Sequence, residues 1–113
     1  MNKKELNAIK DALHSNNIPI AQLAEEFYNR KSFMAYIYYY LHGQHLTIED
    51  NAKKYLKLKS VNPRTLYKYR KEHGLTQKAL GTKLHVDQRV ISFYELGYHI
   101  DIENKLKDNY IES

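Results

Sequence analysis

The stretch from Arg70 to Gly97, RKEHGLTQKALGTKLHVDQRVISFYELG, narrows the folds open to this chain more than any other. Its apolar residues recur at helical rather than alternating spacing. Leu80 and Leu84 lie four apart on one face, with Leu75 packing where the first helix begins. Thr76 is placed to cap that helix, leaving Gln77 exposed in its first turn. Gly81 is the small residue that lets a second helix cross closely. His85, Val86 and Asp87 interrupt the pattern, and Asp87 can cap the helix that follows. There Val90, Ile91 and Tyr94 take the apolar positions, and Gln88, Arg89, Ser92 and Phe93 are left outside. A helix with polar and basic side chains at its N-terminus suits the major groove of DNA.

These residues resemble the lambda-repressor-like (Xre-type) helix-turn-helix family. The resemblance rests on Arg70, on GLTQ at 74–77, on Leu80, Leu84 and Val86, and on ISFYELG at 91–97, above all Glu95 followed by Gly97. It covers the C-terminal half. His85 stands where the family has glycine in the turn, and histidine tolerates positive φ better than most residues. The resemblance implies that Gln88, Arg89, Ser92 and Phe93 read bases, with Phe93 against a thymine methyl. Gln can pair with adenine and Arg with guanine, each contact giving roughly 1–3 kcal/mol of discrimination. It implies that Gln77 bonds a phosphate and braces the first recognition residue. Lys78 and Lys83 add positive charge nearby, and Tyr98 and His99 lie on the loop that approaches the backbone. Such contacts position a protein without specifying sequence. Arg70 and Glu95 match the family's partly buried ion pair, a structural role. Without the resemblance, Gln88 and Arg89 would read as an ordinary solvated helix start.

The remaining chain also reads as helix. Residues 3–15 carry Leu6, Ile9 and Leu13 on one face. A second helix runs from Pro19 to Tyr28, with Leu23, Ala24 and Phe27 inward, and NRKS at 29–32 forms a turn. A third spans about 32–42, with Phe33, Ile37, Tyr40 and Leu41 as its core stripe, and Gly43 ends it. Thr47 to Asp50 resembles a capping box for a fourth helix running to Lys59, with Ile48, Ala52, Tyr55 and Leu56 buried. Asn62 can cap, and Pro63 start, a fifth over 63–73. A last helix begins near Ile100, with Ile102 and Leu106 as a thin apolar stripe. The expected fold is all-α, with residues 1–59 as one small helical unit and 60–113 as the helix-turn-helix unit.

An internal repeat is visible at two offsets. Shifted by 57, Leu23 falls on Leu80, Ala24 on Gly81 and Phe27 on Leu84. Shifted by 54, Ile37 meets Ile91, Tyr40 meets Tyr94 and Gly43 meets Gly97. The N-terminal half therefore resembles a degenerate second helix-turn-helix; a plain four-helix arm that dimerises is the alternative. In these frames Leu13 replaces Arg70 and Leu41 replaces Glu95, and an apolar pair can stand in for a buried ion pair at little cost. Met34, Ala35, Tyr38 and Tyr39 take the base-reading positions but lack bidentate hydrogen bonding. Arg30, Lys31 and Ser32 could reach phosphates, or the tyrosines, Tyr38 and Tyr39 among them, could form a protein interface.

Composition sets limits around this reading. The net charge of +5 favours an anionic partner only weakly, and the two halves carry +3 and +2. The absence of cysteine removes disulfides and thiolate metal sites and fits a cytoplasmic setting. His42 and His45 straddle a helix end with nothing to complete a zinc set, so neither metal nor cofactor is expected. No apolar run approaches the ~20 residues of a membrane span, and the mixed-charge N-terminus does not read as a signal peptide. Glycine-rich phosphate loops, nucleophile elbows and paired acids are missing, so no enzyme is expected. The first expectation is a sequence-specific transcription regulator, a repressor of bacterial, phage or mobile-element type, binding double-stranded DNA. Tandem units or a homodimer on an inverted repeat are both compatible. The second is a protein-binding module, such as an antirepressor, an antitoxin or an inhibitor of a defence enzyme, gripping its partner through the Tyr-rich N-terminal half.

Overall fold

A computed structural model describes residues 3–111. The helices are α1 (Lys3–Ser15), α2 (Ile20–Tyr28), α3 (Met34–Leu41), α4 (Gln44–Tyr55), α5 (Pro63–Glu72), α6 (Gln77–Leu84), α7 (Gln88–Glu95) and α8 (Tyr98–Leu106). A 3-10 turn, Lys31–Phe33, leads into α3, and a π turn, Lys107–Ile111, follows α8. The described residues contain no strand, so the all-α expectation holds.

Contacts divide the chain into two units, each with its own core. Unit 1 comprises the described residues of 1–43 and 99–113; unit 2 is Gln44–Tyr98. The expected boundary at 59/60 does not follow this grouping, because α4 is grouped with the C-terminal helices and nearly all of α8 with the N-terminal ones.

In unit 1, Leu6, Ile9 and Leu13 of α1, Leu23 and Ala24 of α2, Ile37 and Tyr40 of α3, and Ile102 and Leu106 of α8 are buried. Polar contacts hold α8 in place. The Tyr28 hydroxyl donates to Asp101. Lys107 reaches Glu103 at 3.2 Å and Glu5 at 3.4 Å, and Tyr110 donates to Glu26 at 2.8 Å. Burial pushes the Tyr40 phenol well above its ordinary pKa, and the nearby Glu103 adds to the shift.

In unit 2, α4 packs on α6 and α7, and α5 packs on α7. Pro63 opens α5 behind a reciprocal cap: Thr65 N–H donates to Asn62 Oδ1 at 3.0 Å, and Asn62 N–H donates to Thr65 Oγ1 at 2.9 Å. Buried Tyr94 of α7 donates its hydroxyl to Glu49 of α4 at 2.8 Å.

Several boundaries differ from the sequence reading: α2 starts at Ile20 with Pro19 as its N-cap, and the last helix starts at Tyr98 rather than near Ile100. Gly43, at φ +70°, ends α3 so tightly that α4 starts at Gln44, and Thr47–Asp50 lies inside that helix rather than capping it. Past Tyr55 the chain leaves the helix, with Lys57 at φ +59°, so α4 does not run to Lys59. The third helix proper begins at Met34, after the 3-10 turn. Tyr55 is 46% exposed rather than buried.

The elements repeat. An offset of 54 carries α3 onto α7 from Met34/Gln88 to Leu41/Glu95, and an offset of 57 carries Ile20 of α2 onto Gln77 of α6. The 54-residue offset extends into the fourth helices. Gly43, His45, Ile48, Glu49 and Lys53 recur as Gly97, His99, Ile102, Glu103 and Lys107. Gly97 repeats the positive φ of Gly43, at +77°. His45 and His99 are both buried, at 2% and 5% exposure. In element order α4 and α8 are counterparts, yet α4 is grouped with α5–α7 and α8 with α1–α3. The tyrosine–glutamate neighbours follow this grouping: Tyr94 of α7 meets Glu49 of α4, and Tyr40 of α3 feels Glu103 of α8.

Candidate nucleic-acid interface

The centre of unit 2 is α6, a three-residue turn and α7. Thr76 caps α6, its Oγ1 accepting from Ala79 N–H at 3.0 Å. His85 closes α6 in the left-handed region, at φ 59° and ψ 39°. Val86 N–H then donates to Gly81 C=O at 2.9 Å, so the helix ends in a Schellman-type turn with histidine in glycine's usual place. The chain doubles back so closely that a Cβ on Gly81 would stand 2.6 Å from the Val86 carbonyl oxygen. That approach is what Gly81 permits.

Asp87 caps α7. Its Oδ1 accepts from Arg89 N–H at 2.8 Å and from Arg89 Nε at 3.1 Å. These bonds hold the Asp87 carboxyl below the usual carboxylate range, the Arg89 side chain contributing most. Gln88 and Arg89 are exposed, and the Arg89 side chain is 75% exposed. A donor-rich pair therefore stands at the start of α7, with one arm of the guanidinium oriented by the cap.

An ion pair fixes α7 to α5 from behind. Arg70 donates from Nε to Glu95 Oε2 at 2.7 Å and from Nη2 to Glu95 Oε1 at 2.9 Å. Its Nη1 donates to Leu75 C=O at 3.1 Å. The side chains are 9% and 6% exposed, and the Glu95 hydrogen bonds raise the guanidinium pKa further. Gln77 Nε2 also donates to Glu95 Oε1, at 3.1 Å. Gln77 is thus half-buried and turned toward Glu95 rather than exposed, bracing the carboxylate that anchors α7.

The other expected contact residues are placed less uniformly. Lys78 and Lys83 are exposed on α6, and Ser92 is half-buried on α7. Phe93 is fully buried, so it cannot meet a thymine methyl. The α7 helix buries Val90, Ile91, Phe93 and Tyr94, a wider arc than one helical stripe, and Phe93 falls inside it. Tyr98 is half-buried as the first residue of α8, and His99 is buried, so neither sits on an open loop. Burial pushes the His99 imidazole down to about 4.

In unit 1, Arg30, Lys31 and Ser32 are exposed in the connection between α2 and α3, where Asn29 adopts φ 51°. Tyr38 is 46% exposed and Tyr39 half-buried, and the Tyr38 and His42 ring centroids lie 4.0 Å apart with the rings tilted by 33°. Met34 is exposed beside them.

Sequence reasoning missed two residues of α4 that touch the turn before α7. Asn51 Nδ2 donates to Leu84 C=O at 2.7 Å, and the Tyr55 ring meets His85 edge-on at 5.2 Å. The Gly-x-His-x-x-Ile-Glu pattern at 43–49 and 97–103 likens the start of α4 to the start of α8, but it does not extend to Asn51 or Tyr55, which no local signal marks. No group of three or more His, Cys, Asp or Glu among the described residues could hold a metal ion. No helix among them is long and apolar enough to cross a membrane.

Residues 66–104, from α5 into α8, match a family model described as helix-turn-helix. No curated protein and no solved structure matches the chain significantly.

Proposed function

We propose, from the match of residues 66–104 to the helix-turn-helix family, that this protein is a sequence-specific DNA-binding transcription regulator that reads the major groove with α7. The observation that carries this reading is the pairing of exposed Gln88 and Arg89 at the capped start of α7 with a buried anchor, Arg70–Glu95–Gln77, behind it. A rigid mount with a donor-rich tip is what direct readout requires. Lys78 and Lys83 supply phosphate contacts, and Ser92 a groove contact one turn further on. Repression follows by occupation of an operator that excludes polymerase. Selection from random duplex DNA, beside Gln88→Ala and Arg89→Ala, tests this. An enriched motif that each variant relaxes, at a cost of about 1–3 kcal/mol per base contact, supports it. Absence of enrichment, or a motif indifferent to both substitutions, would sink it.

A second reading has its own observation. At the positions where α7 shows Gln88, Arg89 and Ser92, α3 shows Met34, Ala35 and Tyr38, and Met34 and Tyr38 are exposed. Unit 1 then serves as a protein-binding face, for a second copy or another protein, while unit 2 keeps the DNA. Salt separates the two surfaces: phosphate contacts weaken steeply as salt rises, and an aromatic protein contact does not.

A further inference from the structure

Outside the matched segment, the largest concentration of unpaired positive charge lies at the end of α4. Lys53, Lys54, Lys57 and Lys59 fall within seven residues and are all exposed. Among the described residues none of the four makes an ion pair. Lys54 holds its ammonium 5.2 Å from the Tyr55 ring centroid.

We infer that this basic arm, centred on Lys54 and Lys57, grips DNA phosphate beside the recognition helix, extending the interface beyond residues 66–104. The inference rests on the reading of α7 as the DNA-facing helix. Three observations carry it. First, α4 is fastened to the helix-turn-helix where the chain turns toward DNA: Asn51 takes the Leu84 carbonyl and Tyr55 meets His85, two residues ahead of the Asp87 cap. The arm therefore begins at the turn and not at a remote edge. Second, the charge is not something the helix needs in order to fold. At the 54-residue offset Lys53, Lys54, Lys57 and Lys59 correspond to Lys107, Asp108, Ile111 and Ser113, and the one lysine kept is neutralised by Glu5 and Glu103. The basic arm is present only on α4 and the loop that follows it, in unit 2. Third, Tyr55 is a large ring left 46% exposed, with a lysine over its face and a T-shaped contact to His85. Such a ring attracts a neighbouring ammonium toward its face and favours its staying beside the turn. Phosphate is the partner this chemistry fits, since lysine ammoniums make point-charge contacts without base preference.

The test is the salt dependence of duplex binding by the full chain. A Lys54→Gln/Lys57→Gln variant should lower the slope of log affinity against log salt by about 2, roughly 0.9 for each phosphate it no longer neutralises. It should weaken random and selected duplexes alike, with the selected motif unchanged. Lys54→Arg/Lys57→Arg should restore the slope. Lys4→Gln/Lys10→Gln, an equal charge loss in unit 1, should leave it unchanged. If the unit 1 variant lowers the slope as much, or the arm variant does not lower it, the arm is a solvated surface and the inference is overturned. A wild-type chain that shows no binding motif overturns the α7 reading itself. A motif lost in Arg89→Ala, with the slope unmoved by the arm substitutions, overturns only the arm.

Discussion

Unit 2 carries eleven basic and five acidic residues, a formal +6, whereas unit 1 carries seven and eight, a formal −1. Divided at the sequence boundary, the same chain gives two nearly equal basic halves. The grouping of α4 with α5–α7 and of α8 with α1–α3 gathers the positive charge on one unit, because α4 and its trailing loop bring four lysines with them. Each unit has a helix that closes on a left-handed residue, Asn29 after α2 and His85 after α6, and a buried tyrosine beside a glutamate. They differ in what each presents to solvent and in how its helices are fastened. Unit 2 is anchored by a buried ion pair and shows donors; unit 1 has leucines at the matching positions and shows methionine and tyrosine. A polyanion favours the first surface and gains little from the second.

The largest effect should come from the anchor. Arg70→Ala strands the Glu95 carboxylate at low exposure and empties a bond to the Leu75 carbonyl. The expected loss of stability in urea unfolding is about 3–5 kcal/mol. Arg70→Leu/Glu95→Leu copies Leu13 and Leu41 of unit 1 and removes both charges together. It should cost far less than Arg70→Ala. A double variant as damaged as the two single losses combined would show that the apolar arrangement of unit 1 is no substitute for the ion pair.

Acid should act on unit 1 through His99. Its folded imidazole titrates near 4, and an unfolded histidine near 6.5. Between those values the unfolded chain holds more protons, so stability rises with pH across the window. The contribution is complete above about 6.5, shrinks as pH falls and is gone below about 4. Its size is about 3 kcal/mol. Unfolding free energies at pH 4.5 and 7.5, compared with those of His99→Leu, check this. A difference between the two pH values that the variant retains in full would place the acid sensitivity elsewhere.

Legibility in the sequence followed range. The caps at Asn62, Thr76 and Asp87, the turn at His85, the Gly81 crossing and the Arg70–Glu95 pair were readable, because each depends on residue type at short spacing or on the family resemblance. Phe93 misled because α7 is buried over a wide arc, so a rule of one apolar stripe assigned it to solvent. His99 misled because a polar residue after a glycine reads as loop, and its burial depends on helices distant in sequence. Tyr55 misled in the opposite sense: helical spacing counted its ring as core. The grouping of α4 with α5–α7 and of α8 with α1–α3 has no local signature, because it rests on contacts between residues distant in sequence, such as Asn51 with Leu84 and Tyr28 with Asp101.

The smallest predicted difference concerns the turns. Gly81 and Ala24 correspond at the 57-residue offset, and both are buried. In unit 2 the connection is residues 85–87, and the added Cβ of Gly81→Ala would meet a backbone oxygen at 2.6 Å that cannot rotate away. In unit 1 the connection is 29–33, with a 3-10 turn, and it leaves room for the methyl that Ala24 already has. Gly81→Ala should therefore destabilise by about 1–3 kcal/mol despite the better helix propensity of alanine. It should also weaken DNA binding, because relief of the clash moves Val86 and the start of α7. Ala24→Gly should cost about 1 kcal/mol through helix propensity and leave binding to the selected duplex unchanged. If Gly81→Ala instead proves neutral in both measurements, the turn of unit 2 yields as readily as that of unit 1, and the rigid mounting of Gln88 and Arg89 loses its structural basis.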